Sequence, residues 1–312
     1  MDCYCCGGKS DAVCRVLLSE GNEKSVLLCG KCGSAFVAPM PSGEELSACY
    51  PPAYYDDFIK KYWKDFYKGR RLGKYLKTLA GDGVFLDIGG AIGTMAAGVR
   101  EESGWRVGGT EFSQISCSVA KAVNNVDFSA APAGVLPFDD ASADFIHANN
   151  IIEHMRSPSC TLREFRRVLR PGGRLRLCLP NGPVDLLPNI ILWRKHGRAF
   201  RTRHGGHIFF FSKEGISSLL GECGFGVVSC RNFHFKPALK CHGLTHNAFR
   251  AFLRAPAAQT VRPSRSAAEL KAAIPKPCCR FTDDMLARWR ALWRFDGPQC
   301  GADYEIEAVR LP

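Results

Sequence analysis

The sequence predicts an α/β fold: a mostly parallel sheet with an antiparallel last strand, preceded by a small cysteine-rich segment. From residue 83 onward, short apolar runs alternate with stretches of helical periodicity, the pattern of repeated βαβ units. The final run, Tyr304-Glu305-Ile306-Glu307-Ala308-Val309-Arg310, alternates at period two instead, as an antiparallel strand with one more exposed face does. Paired C-x-x-C turns near the start set the front segment apart. The 312 residues suit a core of about 200 residues with smaller additions.

Residues 1–36 are rich in cysteine and glycine. Cys3-x-x-Cys6-Gly7 and Cys29-x-x-Cys32-Gly33 form two knuckles separated by 22 residues. A tetrahedral zinc ion takes four soft ligands, which paired knuckles supply, and the following glycines permit the tight turns. With all four ligands from protein, the expected site is closed and structural. Cys5, Cys14 and Cys49 lie nearby, and Cys5 could replace a neighbour as ligand; a redox C-x-x-C is the competing reading. The remaining cysteines, of sixteen in all, read as reduced core residues, because no basic segment followed by an apolar run opens the chain. No stretch approaches the roughly 20 apolar residues of a membrane span, so a cytoplasmic location is expected.

Residues 37–80 read as a linker and capping helix: a proline-rich stretch over 37–53, then a helix over 54–80. Its apolar positions Phe58, Ile59, Tyr62, Trp63, Phe66 and Tyr67 recur at three- and four-residue intervals. Residues 81–312 hold the main domain. Strands are predicted at Val84 to Ile88, Arg106 to Thr110, Asp144 to Ala148, Arg174 to Leu179 and Phe225 to Ser229, with helices near 92–102, 113–123, 158–169 and 213–223. An irregular stretch at about 236–302, with several prolines and two tryptophans, reads as a helical insertion over the sheet edge or substrate mouth.

The net charge of +12 suits either nucleic acid or a phosphate-bearing small substrate. One basic group, Arg163, Arg166, Arg167, Arg170, Arg174 and Arg176, falls where a helix should face solvent. The second, Arg194, Lys195, Arg198, Arg201, Arg203 and His204, is less readily explained as a solvated face.

The chemistry concentrates at Asp87-Ile88-Gly89-Gly90-Ala91-Ile92-Gly93. In a doubly wound sheet, ligands sit beyond the strands' carboxyl ends, where a glycine-rich turn lets backbone approach and a following helix points amides at them. A dinucleotide fingerprint would need glycines at 89, 91 and 94, but Ala91 and Thr94 stand there. Asp87 before the turn suits a ligand ammonium. Glu111, at the end of the next strand, suits ribose hydroxyls, with capping of the following helix as its structural alternative.

With these residues in place, the sequence strongly resembles the class I methyltransferases, and more narrowly a bacterial group with a zinc-binding segment in front. Leu86-Asp87-Ile88-Gly89 with Gly93, Leu136-Pro137-Phe138 through Ala143-Asp144-Phe145, and Ile152-Glu153-His154 carry the resemblance. They are followed by Leu169-Arg170-Pro171-Gly172-Gly173, Pro180-Asn181, and His207 leading to Phe211-Ser212. The linker, from Phe36-Val37-Ala38-Pro39-Met40-Pro41-Ser42 to Tyr54-Tyr55, resembles that of the same group. The resemblance implies a Rossmann-like seven-stranded sheet, S-adenosylmethionine as donor and S-adenosylhomocysteine as product. Donor-binding residues would be Asp87, Gly89, Gly90, Ala91, Gly93, Glu111, Phe112, Ala133 and Asn149. The chain departs from the family at Ala91, where glycine is usual, and at Pro132, near which an acid often contacts adenine.

Methyl transfer is an in-line displacement, so alignment and exclusion of water dominate, and an oxygen or carbon acceptor also needs a base. His207 is the candidate base or acceptor-orienting residue; His154 and His147 read as structural, and Asn149, Asn150 and Asn181 as secondary candidates. The leading function is methylation of a small molecule, a sugar or glycan-precursor hydroxyl (or carbon), with the second basic segment meeting a phosphate of a nucleotide sugar or lipid-linked glycan. Ribosomal or transfer RNA is an alternative acceptor, disfavoured because the front segment lacks interleaved aromatic and basic residues. A non-catalytic S-adenosylmethionine-binding module is the third reading.

Overall fold

The computed structural model describes residues 1–18, 22–47, 56–201, 206–233, 266–275 and 303–312. Most of the 236–302 stretch, along with Arg203 and His204, lies outside the described residues.

Seven strands form the main sheet: β4 (Val84–Ile88), β5 (Arg106–Glu111), β6 (Phe128–Ala130), β7 (Ala143–Asn149), β8 (Leu169–Pro180), β11 (Phe225–Phe233) and β12 (Asp303–Arg310). Their spatial order is β11-β12-β8-β7-β4-β5-β6. Every pair is parallel except those of β12, which lies antiparallel between β8 and β11. This is the predicted Rossmann-like architecture with its antiparallel last strand. The order changes direction between β4 and β7, which opens a crevice at the carboxyl ends of the central strands. Helices α4 (Thr94–Ser103), α5 (Gln114–Asn124), α6 (Pro158–Val168) and α8 (Lys213–Glu222) match the predicted ones to within two residues at each end.

Helix α3 (Tyr62–Leu79) covers α4 through close backbone approach. A Cβ on Gly69 would strike the Met95 carbonyl, and one on Gly98 the Phe66 carbonyl, so glycines let these helices touch. Tyr62 donates to Asn124 Oδ1 at 2.6 Å, and Asn124 Nδ2 donates to the Ile92 carbonyl at 2.7 Å. The capping helix thereby braces the loop after β4. A short helix of the insertion, α9 (Ala267–Ala272), carries a capping box at Ser266 and Glu269. Its buried Leu270 joins Ile59, Tyr62, Ile92 and Val119.

A second sheet joins the cysteine-rich segment to the main domain. Strands β1 (Ser10–Leu17), β2 (Glu23–Cys29) and β3 (Ala35–Ala38) form an antiparallel meander. It is extended by β9 (Phe200–Arg201) beside β1 and β10 (Phe209–Phe210) beside β3, in the order β10-β3-β2-β1-β9. Helix α7 (Gly182–His196), which the sequence reading missed, packs against β1.

Arg174 and Arg176 sit on β8 rather than on a helix. Both pair with Glu307 of β12, at 2.5 and 2.6 Å, and Tyr75 also donates to that carboxylate. Burial pushes the Glu307 carboxyl up, but Tyr75, Arg176 and Arg174 outweigh it and hold it below the usual range. A depressed carboxylate contributes stability above its unfolded pKa, lost as pH falls through the folded value. Glu307→Gln should therefore cost about 1–3 kcal/mol near pH 7, below the full penalty of a broken buried pair because both arginines stay partly exposed. In denaturant unfolding the gap to wild type should shrink in acid; a gap independent of pH would refute this.

Candidate active site

The loop from Ile88 to Thr94 turns on left-handed residues. Gly89, Ala91 and Gly93 have φ of 69°, 51° and 71°. Gly89 is packed so closely that a Cβ there would collide with Ile151, which ties the loop to the segment after β7. Ala91 holds a conformation that costs a residue with a side chain about 1 kcal/mol or more. Its amide donates to Glu111 Oε2 at 3.0 Å. The amides of Gly89 and Gly90 both donate to the Thr110 carbonyl, at 2.7 and 3.2 Å. Helix α4 starts at Thr94, two residues later than the sequence suggested, with Gly93 as its N-cap.

Glu111 ends β5 with its carboxylate nearly buried. Besides Ala91, it accepts the Ser113 amide at 3.2 Å, so one carboxylate joins the loop to the start of α5. Burial raises its pKa, against the lowering effect of those amides. The neighbouring Phe112 ring is 66% exposed, a face available to a planar ligand. Ala131 donates to the Glu111 carbonyl at 3.2 Å, setting the turn with the buried Ala133 beside it. Ile88 pairs with Ala148 across the sheet, which places the exposed Asn149 level with Gly89. The residues singled out on the donor side thus share one edge. Asp87 is there too, buried, and Oδ1 lies 2.8 Å from His147 Nδ1 of the adjacent strand. No local pattern in the chain signals that pairing.

A second group gathers around His207. His207 is buried in the loop before β10, with Nδ1 2.8 Å from Asp185 Oδ2 in the first turn of α7. Burial lowers its pKa, but Asp185, Glu153 and Asp303 outweigh that and raise it. His154, in the 3-10 turn Ile152–His154 rather than in a helix, packs its ring edge-on against His207, centroids 4.8 Å apart. Its Nδ1 meets the Gly206 carbonyl at 2.8 Å. Glu153 between them is buried, among the described residues only its own amide offers its carboxylate a donor, and burial pushes its pKa to about 7 against that amide and His207. Asp185 was missed because it sits on the unpredicted α7, 22 positions before its partner. Glu153 was visible only as part of a motif.

The four knuckle sulfurs also converge. Cys3 and Cys32 Sγ are 3.7 Å apart, Cys6 and Cys29 Sγ 3.5 Å, and all four lie within 4.8 Å of one another. Cys5 is not in this set; its amide donates to Cys3 Sγ at 3.4 Å.

A family model described as methyltransferase domain matches residues 55–230. The chain belongs to this methyltransferase family. Among curated relatives, an O-methyltransferase of Aspergillus sclerotiorum is 33% identical over 169 residues, covering 51% of this chain and 60% of its own. A demethylmenaquinone methyltransferase of Clavibacter sepedonicus is 29% identical over 165 residues, covering 47% and 67%. The chain spans between about a third and two thirds of the length of the first curated relatives it matches. A solved methyltransferase of Thermotoga maritima, with 17% identity and a TM-score of 0.48, covers 82% of this chain and 94% of its own.

Glu111→Gln tests the loop geometry directly. The amide keeps one acceptor oxygen and turns a donor toward either the Ala91 or the Ser113 amide. Thermal unfolding should report a loss of about 1–3 kcal/mol; unchanged stability would mean those amides do not depend on the carboxylate.

Proposed function

We propose that this chain transfers a methyl group from S-adenosylmethionine to a small-molecule acceptor, a sugar or glycan-precursor hydroxyl (or carbon), releasing S-adenosylhomocysteine. The observations that carry the reading are the shared edge of Asp87, the Gly89 to Gly93 loop, Glu111, Phe112, Ala133 and Asn149, and the buried His207–Asp185 pair. Donor ribose would meet Glu111, the adenine would lie against Phe112 and Ala133, and loop amides would line the methionine end. His207, fixed by Asp185, would orient the acceptor. The names of the relatives, O-methyltransferase and demethylmenaquinone methyltransferase, are those of small-molecule enzymes.

Charge supports a small molecule over RNA. Of the first basic group, Arg167 pairs with Glu164 and Asp140, Arg170 with Asp144, and Arg174 and Arg176 with Glu307. A surface already neutralised by carboxylates offers little to phosphates. Arg194, Lys195 and Arg198 stand exposed at the end of α7 and could meet one phosphate of a nucleotide sugar or lipid-linked glycan. Among the described residues, no helix is long and apolar enough to cross a membrane.

We further propose that Cys3, Cys6, Cys29 and Cys32 hold a structural zinc ion. Ligands at about 2.3 Å in a tetrahedron place sulfurs about 3.8 Å apart, close to the spacing here. The ribbon (1–36), linker and helix (37–80) and main domain (81–312) then act as one unit. The ribbon reaches the acceptor side: Val37 donates to the Ile208 carbonyl at 2.9 Å, and Ser212 Oγ donates to the Cys32 carbonyl.

Two measurements follow. Transfer of labelled methyl to a panel of nucleotide sugars and phenols, with RNA as control, should give turnover. His207→Ala should lower it by about 10²-fold or more at saturating donor, and near-normal turnover would remove His207 from the acceptor side. Cys29→Ser should lose the bound zinc and lower the unfolding temperature; a variant as stable as wild type would refute a structural metal.

A further inference from the structure

Glu153 is the least explained side chain in the crevice. It is 1% exposed, its carboxylate oxygens are buried, and among the described residues only its own backbone amide offers them a donor. An ionised carboxylate so placed costs several kcal/mol unless a proton or cation compensates it. Its carbonyl accepts the Ile208 amide at 3.0 Å, so the side chain is held there by the fold.

Two imidazoles face it, and their outer hydrogen bonds set which nitrogen each presents. The Gly206 carbonyl only accepts, so His154 Nδ1 carries the hydrogen in their 2.8 Å contact, and the lone pair of the neutral ring lies on Nε2. That atom is 3.9 Å from Glu153 Oε1, too long for a hydrogen bond. The Asp185 carboxylate likewise fixes hydrogen on His207 Nδ1, leaving Nε2 as its basic nitrogen. An imidazole whose other nitrogen donates to a carbonyl or a carboxylate is the common form of a histidine metal ligand. One ligand atom from each of Glu153, His154 and His207 lies within 4.8 Å of the others. Ligands around one ion at about 2.1 Å stand roughly 3–4 Å apart, so a contraction of at most about 1–2 Å in the widest pair closes the set. Asp185 and Asp303 add negative charge around His207, a field that favours a cation.

We propose that Glu153, His154 and His207 form a second metal site, binding one divalent transition ion on the acceptor side of the crevice. Two imidazoles and a carboxylate suit manganese, ferrous iron, cobalt or zinc, and three protein ligands leave positions open to an oxygen ligand. The ion occupies the face where the methyl-transfer reading puts the acceptor, and the proposal rests on that reading only for this consequence: the open position takes an acceptor oxygen. His207 then orients the acceptor through the ion. The site is distinct from the four-sulfur cluster in ligand chemistry and in location.

Calorimetric titration of the zinc-loaded, full-length chain with manganese(II) tests the site, because carboxylate and imidazole accept this ion whereas the thiolate cluster prefers zinc. One manganese should bind per chain and raise the unfolding temperature. Glu153→Gln, matched in shape, should weaken binding by about 10-fold or more and abolish the thermal shift, and His154→Ala should do the same. Retention of the ribbon zinc in both variants establishes that they are folded. Absence of a second divalent ion in wild type, tested also with cobalt(II) and zinc(II), would overturn the proposal, as would wild-type affinity in Glu153→Gln. Methyl transfer that proceeds unchanged under chelation, with no manganese bound, would sink the metal site and leave the methyltransferase reading standing. Manganese binding without any S-adenosylmethionine binding would do the reverse.

Discussion

The functional edge depends on one carboxylate. Glu111 reaches from the end of β5 to the Ala91 amide in the neighbouring loop and to the Ser113 amide at the head of α5. Two crossover connections, one after β4 and one after β5, are thereby fixed relative to each other. The loop meets that carboxylate with left-handed backbone at Gly89, Ala91 and Gly93. Alanine at the middle position stores strain that glycine would not, and the Glu111 bond to its amide offsets part of it.

Support for this edge comes from outside the sheet. Tyr62 of the capping helix holds Asn124, which holds the Ile92 carbonyl, so the loop is braced from behind by a helix N-terminal to the main domain. The His207 loop has a different brace. Strand β10 completes the ribbon's sheet, and the bonds between Ser212 and the Cys32–Ser34 turn anchor the start of α8. His207 sits between that sheet and α7, its ring held by Asp185. The front segment therefore packs directly against the elements on either side of the His207 loop.

The main sheet was legible in the sequence because buried parallel strands and amphipathic helices leave different periods in one chain. Its antiparallel last strand was legible from the alternation of Tyr304 to Arg310. The knuckle cysteines were legible because their paired C-x-x-C spacings stand out in the sequence, and their sulfurs converge in the fold. Helix α7 was not, since its apolar residues run around most of the helix and Pro188 interrupts the period. With α7 went Asp185, and with Asp185 the partner of His207. Contacts such as Asp87 with His147, or Glu307 with Arg174 and Arg176, form between strands adjacent only in the folded sheet. Local pattern carries no trace of them, so the arginines on β8 read as a solvated face when they are half-buried partners of a carboxylate.

The central claim is that this edge binds S-adenosylmethionine through Glu111. Calorimetric titration of the intact, zinc-loaded chain with that donor tests it most directly, alongside Glu111→Ala. The account predicts one donor bound per chain, with affinity at least about 10-fold weaker in the variant, as expected when charge-assisted bonds to hydroxyls are lost. A folded wild-type chain that binds no donor, or a variant that binds it as tightly as wild type, would contradict it.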